Sequence, residues 1–499
     1  MRPFLPAVRE GLRYHARMTT TGWLPPIALF VSAVAPAALL VAQGAPPGSG
    51  AVWQPKGVQT LARESAVKPR EAVKLEPDKI YTLAELIDLA QQHNPETRVA
   101  WEQAKSKAAA LGIARSSLYP TMSAVALAVS LRQATLIGEF FHRQTEGVFE
   151  PLLHVEYLVF DLGGRSGEID AAKADLLASD LAFNDTHRKI IFQVASSYYR
   201  LLNAEGQRQA AEASLENARA VEEDAKARLA NGLATKPDEL EATAARTQAD
   251  FDLQAAVGAV DIARGELATV IGIAPGTPFK VQGIDELNMP STVAASVDQE
   301  IDHAFSQRPD LLRQFARLRA ANATIKQARS AYFPSLNFSG DGGLARAYGQ
   351  QDLLPGHYAQ GEVWTAELEL KWTLFDGARR EYRLAQANAD KKAAQAEIDS
   401  LRDQIADEVW DAYTNMQTAL RQQQAANALL TASQQSYEAA HEAYGYGVRN
   451  LLDVVSAQKT LAQARSEDIA ARTQLLLQVT NVAFRTGDLI QTQHWSLGP

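Results

Sequence analysis

The sequence predicts a mixed α+β membrane protein in which long helices continue into membrane-spanning β-strands and one plan is used twice. Three observations predict this fold class. Short motifs recur at an offset of 214 or 215 residues, two stretches of about 65 residues lack proline, and each half contains segments in which apolar and polar residues alternate. Alternation with a period of two is typical of a β-strand with one apolar face, whereas a long stretch without proline favours a helix.

Four pairs of motifs indicate the internal repeat. They are ARSSLYP (114–120) with ARSAYFP (328–334), LVFDLGG (158–164) with TLFDGAR (373–379), HNPETR (93–98) with QRPDLL (307–312), and the turns around Gly232 and Gly447. One such match means little, but four at a nearly constant offset predict an internal duplication. We therefore expect a first repeat at residues 81–290, a second repeat at residues 291–490 and a C-terminal tail at residues 491–499.

The first 44 residues have the features of a signal peptide. Four arginines, the last of them Arg17, precede an apolar run from Ile27 to Val41 that is interrupted by proline. A spanning helix needs about 20 apolar residues, so cleavage near Ala42 is favoured over a membrane anchor, which stays an alternative. Residues 45–80 are rich in proline, glycine and charge, which is typical of a linker.

Each repeat is expected to contain a helix, two strands, a very long helix and a shorter returning helix. The very long helices are predicted at about 166–230 and 379–444, and at ~1.5 Å per residue each is ~100 Å long. In the second of them Ile398, Ile405 and Val409 belong to an apolar series at three- and four-residue steps. This narrow stripe is typical of coiled coils, so the helices alone also fit a coiled-coil spacer.

The alternating segments favour a membrane protein over a spacer. Strands are predicted at about 121–132, 149–161, 334–342 and 363–376, and one parity of the first carries Val125, Leu127, Val129 and Leu131. In the last segment Trp364 and Trp372 share the apolar parity, while Glu367 and Glu369 lie on the other. Eight residues span ~27 Å of strand, or ~21 Å of bilayer at a tilt of ~40°, near the ~25 Å apolar band of outer-membrane barrels. The two tryptophans are therefore predicted to form a membrane-facing aromatic belt; a strand of a soluble sandwich is the alternative.

Four strands per chain are too few to close a barrel, and lipid tolerates no open sheet edge. Strands would therefore have to be pooled between copies of the chain. Two copies would supply eight strands, and side chains fill the interior of an eight-stranded barrel. Three copies would supply twelve strands and leave a lumen; four copies are also allowed.

The composition disfavours several classes of function. A net charge of −9 and a pI near 5.6 argue against nucleic acid as a partner. The absence of cysteine excludes disulfides, thiolate zinc sites and cysteine nucleophiles. The GGRSG segment at 163–167 is too short for a phosphate-binding loop and lacks its GK[ST] ending. We expect no enzyme activity, no cofactor and no metal site.

The duplication, ARSAYFPSL (328–336), LFDG (374–377) and YGYGVRNLLDVVSAQ (444–458) together resemble the TolC-like outer-membrane efflux protein family, the outer-membrane channels of tripartite export systems. The resemblance extends from about Tyr81 to Leu489. It implies a homotrimer in the outer membrane of a Gram-negative bacterium, with four strands per chain and twelve in the transmembrane β-barrel. The barrel would continue into a long α-helical barrel across the periplasm. The implied partners are a periplasmic adaptor (membrane fusion) protein, an inner-membrane pump and outer-membrane lipid.

The resemblance also implies a gate and constriction at the periplasmic end, where the two helix turns lie. By position, Tyr444 and Arg449 correspond to the residues that link the coiled helices, and Asp238 corresponds to their carboxylate partner. Asp453 corresponds to a lumen-facing acid of the constriction, whereas Ser456 stands where the family has a second acid.

The same turns also fit a purely structural interpretation. TKPD (235–238) and NLLD (450–453) both resemble capping boxes with an acid near the helix N-terminus. Capping alone would account for both aspartates, and a cap is compatible with a gate. Gly232 and Gly447 are expected to relieve the tight turns, either for backbone geometry alone or also as small tips that dock with the adaptor.

Three functions are consistent with these observations. The first is an exit duct that passively conducts small molecules, such as drugs and toxic compounds, delivered by the pump and adaptor. The second is the exit duct of a type I protein-secretion system. The third is a periplasmic coiled-coil scaffold without a pore. We expect the first.

Overall fold

The structure is a computed structural model that describes residues 61, 63–64, 75–76, 78–287, 289–290, 296–351 and 354–489. The predicted signal peptide (1–44), most of the predicted linker (45–80) and the predicted tail (491–499) lie outside these residues. The chain divides into two compact units, residues 1–71 and residues 72–499, and the fold below is that of the second unit.

Both halves of this unit have the same order of long elements. The first half contains β1 (Ile80–Tyr81), α1 (Leu83–His93), α2 (Pro95–Ser116), β2 (Thr121–Ile137), β3 (Phe140–Phe160), α3 (Gly164–Ala230) and α4 (Lys236–Ile271). After β4 (Lys280–Val281), the second half contains α5 (Val297–Gln307), α6 (Pro309–Ser330), β5 (Ser335–Gln351), β6 (His357–Lys371), α7 (Arg379–Gly445) and α8 (Leu451–Thr486). The long helices α3 and α7 each have 67 residues, and the returning helices α4 and α8 each have 36.

Each of the two long helices packs against shorter helices through narrow apolar stripes. Helix α3 contacts α4, α6 and α8, and α7 contacts α6 and α8. Near the start of the unit, an apolar core includes Leu86, Ile190, Tyr198 and Leu267, each fully buried. No helix among the described residues is both long and apolar enough to cross a membrane.

Buried charges connect α3 of the first half to α6 and α7 of the second half. The Arg188 side chain is 2% exposed and lies 2.7 Å from Asp185 and 3.5 Å from Asp310. Arg308 lies 2.6 Å from Asp310 and 2.7 Å from Glu408. Burial alone would raise the pKa of Asp310, but hydrogen bonding and attraction by Arg308 lower it below its usual value. Because each acid here has a basic partner, removing one partner is expected to cost more than the pair contributes.

The four long strands form one antiparallel sheet in the order β2-β3-β5-β6. Val125 lies opposite Leu152, Leu152 opposite Gly343, and Gly343 opposite Val363. Directly opposite residues share a side of the sheet, so this register assigns each side chain to one of two faces. Within the described residues, β2 and β6 are the two open edges of this sheet.

The two faces differ in chemistry. The apolar face carries Met122, Ala124, Ala126, Ala128, Leu153, Val155, Leu336, Phe338, Trp364, Leu368 and Leu370. The polar face carries Glu146, Glu150, His154, Glu156, Asp341, Thr365, Glu367, Glu369 and Lys371. Across three strands of the polar face, Asp341 lies 2.8 Å from His154 Nδ1 and accepts a hydrogen bond of 3.0 Å from Thr365 Oγ1.

The strands differ in length from the alternating segments. Strand β5 extends to Gln351 and β3 begins at Phe140, so both continue beyond the predicted alternation at their turn ends. Strand β6 spans 357–371 rather than about 363–376, so Trp372 follows the last strand residue.

Strand β2 faces the opposite way from what its larger residues suggest. Val125, Leu127, Val129 and Leu131 lie on the polar face, on the same side as Glu367, while alanines and Met122 lie on the apolar face. The alternation of β2 is as predicted, but pairing with β3 decides which parity faces which side.

Candidate functional site

Two helical hairpin turns hold the predicted gate residues. We call residues 231–235, between α3 and α4, the first tip and residues 446–450, between α7 and α8, the second tip. Gly232 has φ 73° and Gly447 has φ 72°, which is the left-handed conformation that closes many helix C-termini. The Gly232 N–H donates to the Leu229 carbonyl at 3.0 Å, and the Gly447 N–H donates to the Tyr444 carbonyl at 3.0 Å.

Both tips present exposed apolar side chains beside their glycines. Leu233 in the first tip is 75% exposed, and Tyr446 and Val448 in the second are 86% and 79% exposed. A Cβ atom added at Gly232 or Gly447 would meet no atom within 4 Å. The glycines are therefore required by the backbone conformation and not by close packing, while the neighbouring side chains are available for contact.

The acid of the first tip bonds to its own turn. Asp238 Oδ2 accepts hydrogen bonds from the Thr235 N–H at 2.8 Å and from Thr235 Oγ1 at 2.6 Å. Both bonds lower the pKa of Asp238 below its usual value because they stabilise the carboxylate, and the bond from the hydroxyl has the larger effect. The Asp238 side chain therefore makes the bond to the N-cap backbone that is expected of the acid in the predicted capping box.

The acid of the second tip does not cap its own turn. Asn450 Oδ1 accepts the hydrogen bond from the Asp453 N–H at 3.0 Å, so the asparagine caps α8. The Asp453 carboxylate lies 4.0 Å from Arg449 Nη1, too far for a hydrogen bond. Arg449, Asp453 and Ser456 line a cleft of about 350 Å³ between α7 and α8. The Asp453 carboxylate is thus partly exposed and oriented only loosely.

Tyr444 joins the two hairpins through packing. It is 6% exposed and belongs to an apolar cluster with Val221 and Ala225 of α3 and Leu451 and Val454 of α8. Burial raises the pKa of its phenol, and the nearby Asp238 carboxylate adds to this effect. Its buried hydroxyl has no hydrogen-bond partner among the described residues.

Arg228 is a connecting residue that the sequence interpretation missed. Its guanidinium lies 4.3 Å from the centre of the Tyr444 ring, and its Nη2 donates to the Gly445 carbonyl at 2.8 Å. Asp224, one turn earlier, holds the same guanidinium at 3.2 Å. The sequence signal that could have identified Arg228 is an acid–base pair four residues apart near the end of α3, just before the first tip.

The structure brings some predicted partners together and not others. Tyr444 packs against residues of α3 and α8, whereas Asp238 bonds to Thr235 of its own turn. Arg449 pairs with Asp453 of its own tip. Whether Arg449 links to Asp238 of another copy stays a prediction, as do the roles of all four residues.

The predicted aromatic belt lies at the other end of the unit. Trp364 is on the apolar face of the sheet and is 78% exposed, and Trp372 is 59% exposed. The indole N–H of Trp372 donates to the Tyr332 carbonyl at 3.1 Å, which orients the ring where β6 ends. Both rings are accessible to a surrounding apolar medium.

The sequence matches the profile of a family described as "Outer membrane efflux protein" over residues 86–273 and 301–488. Protein CyaE of Bordetella pertussis is 27% identical over 409 residues, 82% of this chain and 84% of that protein. Outer membrane protein OprJ of Pseudomonas aeruginosa is 27% identical over 390 residues, 76% and 78% of the two chains. The CmeC outer membrane channel of Campylobacter jejuni has the same fold, with a TM-score of 0.68 and 20% identity over 83% of this chain and 87% of that one.

Proposed function

Because the chain belongs to the outer membrane efflux protein family, we propose that it is the outer-membrane exit duct of a tripartite efflux system. It is a transport protein of the outer membrane of a Gram-negative bacterium, with a large periplasmic extension. In the proposed role it passively conducts small toxic molecules that an inner-membrane pump and a periplasmic adaptor deliver. The energy comes from the pump, and this chain catalyses no reaction.

The observation that carries the proposal is the sheet with one apolar and one polar face, joined at one end to the long helices. The apolar face has exposed Trp364, Leu368 and Leu370, which suit lipid, whereas Glu367 and Glu369 on the other face suit water. A sheet of this kind separates hydrocarbon from an aqueous passage. The two 67-residue helices then extend that passage by ~100 Å at ~1.5 Å per residue.

The open edges support a homotrimer. Among the described strands, β2 and β6 have unpaired outer edges. In lipid, each unsatisfied backbone group costs on the order of several kcal/mol. Joining β2 of one copy to β6 of the next would pair these groups, and three copies would give twelve strands around a lumen.

The tips support a periplasmic gate that also docks the adaptor. We infer that Asp453 faces the passage, since its carboxylate is partly exposed and makes no cap, while Arg449, Tyr444 and Asp238 hold neighbouring helices. Leu233 and Val448, exposed beside Gly232 and Gly447, are suited to an apolar contact with the adaptor.

Deletion of the gene tests the efflux role. We expect the deletion strain to become more sensitive to a panel of toxic compounds and to accumulate more of a fluorescent dye, with both effects reversed by the intact gene. If sensitivity is unchanged and a secreted protein is missing from the medium, the function is type I protein secretion and not efflux. No effect on either, with a water-soluble product, would support the scaffold.

A pair of strand variants tests the membrane-facing surface. Ala366→Arg places a charge on the apolar face between the two tryptophans, where it costs about 2–4 kcal/mol at mid-bilayer, whereas the neighbouring Thr365→Arg lies on the polar face. We expect the first to lower the amount of heat-modifiable oligomer in outer-membrane fractions severalfold and the second to leave it near the wild-type level. Equal amounts from both variants would contradict the assignment of the two faces.

A further inference from the structure

We propose that the turn end of the sheet binds the phosphate groups of a phosphorylated glycolipid in the outer leaflet, through arginines on the apolar face. The proposal rests on the outer-membrane location and not on the efflux role. The residues are Arg132 on β2, Arg143 on β3 and Arg346 on β5, which we call the arginine rim; all three are exposed.

The register places the arginine rim on the same side of the sheet as the tryptophan. Arg346 lies opposite Gln360, which shares the parity of Trp364 on β6, and Phe149 of the apolar face lies opposite Arg346. Arg132 lies opposite Thr145, two residues from Arg143 and on its parity. The three guanidinium groups therefore project from the side that faces lipid.

On each of three strands, the rim arginine is the first charged residue of this face after the helix end. From Leu336 to Leu344 the apolar face of β5 carries only apolar side chains and glycine, and Arg346 follows. The same holds from Met122 to Arg132 on β2, where only Ala and Ser intervene. Leu336 and Arg346 are ten residues apart, which is ~33 Å of strand, or ~25 Å of bilayer at a tilt of ~40°, so the arginines lie where a band of ~25 Å ends.

The rim lies at the end of the sheet away from the helices. All four strands join helices at Thr121, Phe160, Ser335 and Lys371, whereas the β2–β3 and β5–β6 turns lie at the other end. Because the helices extend into the periplasm, the turn end reaches the outer leaflet. Lipid there is a glycolipid whose sugars carry phosphate groups, which are anionic.

The rim has the chemistry that such a headgroup needs. Guanidinium groups bind phosphate through paired N–H donors. Arg346 Nε donates to Gln360 Oε1 at 3.0 Å, which leaves its two terminal nitrogens for a ligand and orients them. The rings of Tyr348 and Tyr358, with centroids 4.9 Å apart on the same face, suit the boundary between hydrocarbon and headgroup.

One acid opposes the arginines on this part of the face. Glu362 lies opposite Leu344, one step nearer the helix end than Arg346. Glu139 in the β2–β3 turn is a second acid at this end of the sheet, so three arginines stand against two glutamates and their sum stays positive. The charged residues of the polar face, in contrast, are mainly carboxylates, so the same glycolipid would be repelled from it.

Binding of purified lipid A to the purified full-length protein in detergent tests the proposal. We expect the double variant Arg132→Gln/Arg346→Gln to bind lipid A about 25-fold more weakly, from about fivefold per arginine near an anionic surface. The matched control Lys371→Gln lies on the polar face at the helix end, and its affinity should equal that of the wild type. Equal affinity of the double variant and the wild type would overturn the proposal.

Two further arms identify the ligand without a variant. Dephosphorylated lipid A should bind the wild type as weakly as lipid A binds the double variant, and inorganic phosphate should not compete at equal concentration. Competition by inorganic phosphate would show that the rim binds free phosphate and not the lipid. Should the double variant lose its helical circular dichroism, the single variant Arg346→Gln takes its place, and its lipid A affinity should be about fivefold weaker than that of the wild type. Dye efflux measured in parallel separates failure of this proposal from failure of the duct.

Discussion

The two hairpin tips have the same backbone but use their acids differently. Both have a glycine at φ near 72° and a helix N-cap residue three positions before an aspartate. In the first tip, Asp238 accepts two hydrogen bonds from Thr235. In the second, Asn450 forms the cap, and the Asp453 carboxylate lies 4.0 Å from Arg449.

The difference shows how a repeated turn can acquire a second role. An acid that stabilises its own helix start is held in place by its bonds, which also favour its ionised form. Once a neutral side chain takes over the cap, the acid three residues later is available for other contacts. The pattern T-x-x-D against N-x-x-D therefore distinguishes a structural acid from a candidate gate acid, and four predictions test this distinction.

The largest effect is expected at Arg228, which connects the tips. Arg228→Ala removes the bond to the Gly445 carbonyl and the contact with the Tyr444 ring, together about 2 kcal/mol. Amide exchange in residues 440–450 should accelerate about 30-fold, measured by hydrogen–deuterium exchange mass spectrometry. Arg219→Ala, at an exposed site of the same helix, is the control and should change exchange little. Equal protection in both variants would show that the tips are held together by other contacts.

Asp453→Ala should have the next largest effect. If this acid lines the passage, its removal raises the single-channel conductance in planar bilayers and weakens block by divalent cations about tenfold. Asp238→Ala, in the first tip, should change block less than twofold because its carboxylate is bonded to Thr235. Equal changes in the two variants would mean that the tips do not differ in function.

Alanine at the two tip glycines should have equal and smaller effects. Gly232→Ala and Gly447→Ala each force a side chain into the left-handed region, at about 1 kcal/mol, and no atom lies near the new Cβ. Local amide exchange should therefore rise about fivefold at either tip. Gly272→Ala is a useful contrast, because its Cβ would lie 2.9 Å from the His93 carbonyl oxygen, and its effect should be larger. Unequal effects at Gly232 and Gly447 would mean that the two backbones are not equivalent.

Acidification should have the smallest of the four effects, and it should affect the first tip but not the second. The pKa of Asp238 is lowered in the folded protein, so its bonds to Thr235 stabilise the tip above the usual pKa of 3.8. This stabilisation is lost as the pH falls through the lower, folded pKa. Between pH 5 and pH 3, exchange corrected for its intrinsic rate should rise about twofold at the first tip. Asp238→Asn should abolish this dependence, and a similar rise at the second tip, where the Asn450 amide does not titrate, would contradict it.

Much of the helical part follows from local sequence. The absence of proline from 166–230 and the glycines at 232 and 447 are local signals, and α3 and α7 end just before those glycines. Arg228 could not be identified in the same way. Its partners, Tyr444 and the Gly445 carbonyl, are more than 200 residues away, and only the packing of α3 against α8, which itself packs against α7, brings them within reach.

By itself, the sequence determined that β2 and β6 alternate, because side-chain direction along a strand has a period of two. It did not determine which side of the sheet each parity faces. Pairing with the neighbouring strands places Trp364 with the alanines of β2, and Val125 with Glu367, and a shift of one residue would reverse β2. The tertiary structure alone decides this, because a face belongs to the whole sheet and is set by hydrogen bonds between segments distant in sequence.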